Sequence, residues 1–84
     1  MRQILGWMDP ENEIGPCDVE AERKLNQWIF RRRANRRESW ETFPPAVRDW
    51  EFLLDLIERK YRRRRCAWRD VEQVQEFLAQ AKNP

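Results

Sequence analysis

Histidine is absent from this 84-residue chain, and cysteine is nearly so, with only Cys17 and Cys66. The two cysteines do not stand at metal-ligand spacing. A four-ligand zinc site of the Cys/His kind is therefore not expected from one chain, and a His general base is ruled out. Glycine occurs twice and proline five times. There is no Gly-rich phosphate loop and no nucleophile elbow. No metal and no cofactor are expected, and the chain reads as non-enzymatic. β-Branched residues are sparse, which argues against an all-β fold. Long apolar runs are missing too. Nothing approaches membrane-spanning length, and "MRQILGWMDP" has no apolar h-region of a signal peptide. The expected location is the cytoplasm, with both thiols reduced.

What is present is charge and aromatic surface. Charged residues make up 38% of the chain and hydrophobic ones 40%, with five Trp and four Phe. That apolar content argues against a disordered chain. Leu, Glu, Gln, Arg and Ala are abundant, and all are good helix formers. The net charge is only +2, but it is unevenly spread. Residues 1 to 22 carry Arg2 against Asp9, Glu11, Glu13, Asp18, Glu20 and Glu22. The positive charge gathers in "RRRANRR" at 31–37 and "RKYRRRR" at 59–65.

These features predict an all-α domain. Residues 1–17, punctuated by Pro10, Gly15 and Pro16, read as an irregular N-terminal arm. A small helical bundle then fills 18–84. Its first helix is expected from Asp18, with Ala21, Leu25, Trp28 and Ile29 at helical spacing. Pro44 and Pro45 mark a boundary, with Pro45 suited to a first helical position. A second helix carries Val47, Trp50, Leu54, Ile57 and Tyr61 as a stripe, widened by Phe52, Leu53 and Leu56. A shorter third helix presents Ala67, Val71, Val74, Leu78 and Ala81, with a break near Cys66. No Gly or Pro interrupts 46–83, so one continuous helix with a heptad seam is the competing register.

In this expected hairpin, the 31–37 run faces Glu51, Asp55 and Glu58, and Arg62 to Arg65 face Asp18, Glu20 and Glu22. Arg32 and Arg36 are then the inward, paired arginines. The residues left for a partner are Arg31, Arg33, Arg37, Arg62, Arg63, Arg64 and Arg65, with Phe52 and Leu56 as apolar anchors. Trp, Tyr, Phe and Arg are enriched at interface hot spots. Arginines near Cys66 would lower its pKa.

The expected function is that of a small regulatory or adaptor protein of modulator or inhibitor type. It would bind a protein or a protein–nucleic-acid partner through an Arg/aromatic helical surface. One alternative is an arginine-rich nucleic-acid binder. The runs resemble, in composition, arginine-rich helices that enter RNA grooves, and Trp28, Trp40 and Tyr61 could stack on bases. The other alternative is a self-associating structural subunit. A membrane partner is not expected.

Overall fold

A computed structural model describes residues 3–83. Met1 and Arg2, at the start of the expected arm, and Pro84, at the end of the expected bundle, lie outside the described residues. The chain is not all-α. Four antiparallel strands come first: β1 (Gln3–Asp9), β2 (Cys17–Lys24), β3 (Gln27–Arg33) and β4 (Glu41–Thr42). Two helices follow, α1 (Val47–Arg62) and α2 (Trp68–Lys82). The strands lie side by side in sequence order. Two compact units result, one running to Pro44 and the other starting at Pro45.

The expected first helix over residues 18 onward is therefore replaced by sheet, and the expected arm contains β1. The physical reason is a period-two pattern. In β2, Cys17, Val19 and Ala21 are buried and alternate with Asp18 and Glu20. In β3, Trp28, Phe30 and Arg32 are buried and alternate with half-buried Ile29, Arg31 and Arg33. The register places Ala21 opposite Phe30 and Val19 opposite Trp7. The apolar halves of three strands thus share one face. On that face Phe30 meets Trp7 at 6.1 Å and Phe43 at 6.2 Å between ring centroids, both edge to face.

Leu25, expected on a helical apolar stripe, is 92% exposed instead. It sits with Asn26 in a two-residue loop between paired Lys24 and Gln27. Its φ of 56° is positive while that of Asn26 is not, which is the pattern of a type II′ hairpin turn. The β1–β2 connection is organised by Asp9, a buried carboxylate that accepts from the Glu11 N–H at 3.0 Å and from Asn12 Nδ2 at 3.2 Å. Gly15 closes it with a φ of 97°, a conformation open to glycine.

The second unit follows expectation more closely. Ala46 caps α1, two positions later than Pro45 at first helical position would require. The Asp49 carboxylate accepts from the Ala46 N–H at 2.8 Å. Trp50, Leu53 and Ile57 are its buried apolar residues, so the stripe centres on Leu53 and not on Leu54, while Tyr61 points to solvent. Val71 and Val74 are buried on α2, as the expected face had them. Trp50 stacks on Phe77 at 5.1 Å between centroids. The chain does break between the helices, at residues 63–67, so no continuous heptad seam runs through 46–83.

Candidate functional site

The two arginine runs sit on different kinds of backbone. Arg31, Arg32 and Arg33 end β3. The β2–β3 register sets Arg31 opposite Glu20 and Arg33 opposite Asp18, on the same face. Arg31 Nη1 lies 3.4 Å from Glu20 Oε1 and 3.0 Å from Glu22 Oε1. Arg33 Nε lies 3.6 Å from Asp18 Oδ2, and its guanidinium covers the Trp40 ring at 4.1 Å. Arg32 faces the other way. It pairs with Glu13 at 3.1 Å, donates to Asn12 Oδ1 at 3.1 Å, and lies over Phe43 at 4.5 Å. The carboxylates engaged are thus on β2 and the β1–β2 loop, in place of the expected Glu51, Asp55 and Glu58. Arg36 and Arg37 stand exposed in a turn, where Asn35 accepts from the Glu38 N–H at 3.1 Å and from the Arg37 N–H at 2.9 Å.

The second run occupies the α1–α2 turn. Arg62 is the last residue of α1, and Arg63, Arg64 and Arg65 lead out of it. Arg63 is the C-cap. The Arg65 N–H reaches the Lys60 carbonyl at 2.8 Å and the Arg64 N–H reaches the Tyr61 carbonyl at 2.8 Å. These two bonds are a Schellman stop, whose key position strongly prefers glycine. Here that position is Arg64, with a φ of 58°. A non-glycine residue in this left-handed region costs about 1–2 kcal/mol.

The stretch 59–69 reads RKYRRRRCAWR, with seven basic residues and no acidic one. Arg59 is engaged by Asp55 at 2.9 Å, one turn back on α1. Arg62, Arg63, Arg64, Arg65 and Arg69 are exposed, and among the described residues none of them makes an ion pair. Tyr61 and Trp68 flank the arginines in sequence. The chain reversal brings their rings to 5.1 Å, edge to face, with 40% and 47% of each residue exposed.

Of the residues expected to meet a partner, Arg62 to Arg65 are thus gathered at one exposed turn. Arg31 and Arg33 are held by carboxylates, and Arg37 stands in the β3–β4 turn. Phe52 and Leu56 are half-buried on α1, with the Arg48 guanidinium 5.6 Å from the Phe52 ring centre. Phe52 precedes Tyr61 by nine residues, about 13 Å along a helix axis, so it lies away from the turn. Trp68 and Arg69 were not among the expected site residues. The signal that would have found them is the eleven-residue absence of acid, which extends past Cys66.

Cys66 is half-buried, and its thiol donates to the Ile57 carbonyl at 3.5 Å. Burial pushes its pKa above the ordinary thiol range, the Asp70 carboxylate adds to the rise, and Lys60 opposes it. The expected lowering by arginine is thus reversed. Among the described residues no group of three or more His, Cys, Asp or Glu could hold a metal ion. No helix among them is long and apolar enough to cross a membrane. No protein-family model matches the chain, and no curated protein or solved structure is significantly similar to it.

Proposed function

We propose that this chain is a non-enzymatic binding protein, an adaptor or modulator, that docks an anionic macromolecule through the α1–α2 turn. The observation that carries this reading is that Arg62 to Arg65 and Arg69 are exposed and, among the described residues, make no ion pair, next in sequence to an exposed Tyr61–Trp68 pair. Adjacent like charges repel, and among the described residues no carboxylate forms an ion pair with Arg62 to Arg65. Arg64 adds backbone strain. Strain and repulsion that the fold does not relieve are features of sites that await a ligand. A polyanion would relieve the repulsion and bring counterion release on binding.

Heparin chromatography in a salt gradient tests the reading. The wild-type chain is expected to be retained, and the variant R62S/R63S/R64S/R65S to elute at much lower salt. The variant R36S/R37S should shift elution far less. Equal retention of wild-type and quadruple variant would remove the turn as the docking surface.

A further inference from the structure

Resting on that reading, we infer that the anionic partner is single-stranded nucleic acid, with bases stacked on Tyr61 and Trp68 and phosphates held by Arg62 to Arg65 and Arg69. A ligand that carries only charge, such as a sulfated polysaccharide or an acidic peptide, has no use for two rings. A single strand does, because each base offers an apolar π-face next to a phosphate. The turn presents the same two elements side by side. Tyr61 is the last aromatic residue of α1 and Trp68 the first residue of α2, so they flank four consecutive arginines in sequence and their rings meet where the chain reverses. Their edge-to-face contact at 5.1 Å props them against each other and covers at most one ring face. Tyr61 stays 40% and Trp68 47% exposed, which leaves ring surface accessible to a base.

Guanidinium groups fit the same ligand. They pair with phosphate through parallel N–H donors and stack on base planes. Duplex nucleic acid fits less well. Its bases are already stacked and withdrawn from the rings. The helix that begins at the turn also places Asp70 in its first turn, with Glu72 and Glu76 beyond it, so it carries negative charge where a groove-entering helix would meet phosphates.

Fluorescence anisotropy with five ligands tests the inference: a labelled twelve-residue oligothymidylate, an abasic oligonucleotide of the same length, a duplex of that length, and heparin and polyglutamate as competitors. Oligothymidylate is expected to bind more tightly than the abasic strand or the duplex. Trp68→Leu should weaken oligothymidylate binding about 5- to 150-fold, the range for loss of one stacked base, and leave abasic and heparin affinities unchanged. Trp68→Phe, which keeps a ring, should recover most of the loss. Circular dichroism of each variant checks that α1 and α2 are intact, and Tyr61→Leu gives an independent reading if Trp68→Leu does not fold. R62S/R63S/R64S/R65S should weaken all ligands and flatten the logarithmic salt dependence for the single strand by up to about 3, from roughly 0.7 per phosphate contact. Equal binding of abasic and normal strands, unmoved by Trp68→Leu and Tyr61→Leu, would overturn base stacking while polyanion docking stands. Tighter binding of polyglutamate than of oligothymidylate would overturn it in favour of an acidic protein partner. Failure of every polyanion to bind would remove the docking reading itself.

Discussion

Residues 31–37 and 59–65 are both arginine runs, each with five or more basic residues in seven, yet Arg31 to Arg33 of the first are ion-paired and Arg62 to Arg65 of the second, among the described residues, are not. The first run begins on a strand. Residues directly opposite in an antiparallel pair share a face, so the acids of β2 meet the arginines of β3 side by side. Glu22, only 2% exposed, shows how far the pairing is built into that sheet. The second run sits where a helix ends and the chain reverses. Side chains there are exposed, and among the described residues Arg62 to Arg65 make no ion pair. Composition is shared, and backbone geometry decides which arginines are spent on the fold and which remain for a ligand.

The most damaging way to test this contrast is to remove each set together. Arg31→Ser, Arg32→Ser and Arg33→Ser combined delete three ion-pair clusters and two guanidinium–ring contacts. The loss should be roughly 3–6 kcal/mol, a large share of the stability of a small domain. Thermal unfolding followed by circular dichroism should show early or non-cooperative melting. The four-serine variant at 62–65 should stay within about 1 kcal/mol of wild type, as surface substitutions do. If both variants melt alike, the distinction between structural and spare arginines is lost.

A finer cut isolates one pair. Arg31→Met keeps the aliphatic stem and removes the charge beside Glu22. It should cost about 1–3 kcal/mol, since an acceptor nearly shut off from water loses a charged donor. In a Glu22→Gln background the same change should cost clearly less. Denaturant melts of the four proteins give the coupling energy, and a coupling near zero would mean that Arg31 contributes through packing alone.

The difference between the runs was only partly legible in the sequence, and so was the fold. Pro44–Pro45 marked the junction between the units, and Trp50, Ile57, Val71 and Val74 announced α1 and α2 through helical spacing. The sheet was hidden by composition. Arg, Glu and Ala fill β2 and β3, and their helix propensity outweighed the alternation of Cys17, Val19 and Ala21 with Asp18, Glu20 and Glu22. The hairpin signal was also missing, because Leu25 occupies a position where glycine is the usual cue. The helix stop at Arg64 was silent for the same reason. With strands mistaken for a helix, the acids facing 31–37 were assigned to the wrong element. Arg62 to Arg65 were still singled out, because four adjacent arginines exceed what any neighbouring face can neutralise.

The two positive-φ residues offer a smaller, paired test. Leu25→Gly and Arg64→Gly each place glycine where the backbone already favours it. Each should raise stability by about 0.5–1 kcal/mol, somewhat less than the full left-handed penalty because glycine also adds entropy to the unfolded chain. Leu25 is almost wholly exposed, so little packing is given up. The two variants should diverge in binding. Leu25→Gly should leave heparin retention unchanged, whereas Arg64→Gly should reduce it, a gain in stability obtained at the expense of function. Equal retention would show that Arg64 is strained for no purpose of docking.

The smallest effect concerns Cys66, and it bears on how the arginine charges are felt. Four arginines precede this thiol, yet the charges that act on it are Asp70 and, in the opposite sense, Lys60, with burial the leading influence. The arginines extend into water, where their field is screened. The folded thiol thus holds its proton to higher pH than an unfolded one. Its contribution to stability is fully present below the ordinary thiol range and is lost as pH rises through the folded value. Wild type should therefore lose a little stability relative to Cys66→Ser between about pH 8 and about pH 10, around the usual thiol pKa. Alkylation by iodoacetamide near neutral pH should be slower for the folded chain than for the urea-unfolded one. Faster alkylation in the folded state would mean that the arginines do depress the thiol. Their charge would then be turned inward, toward the fold, and the contrast with the strand arginines would disappear.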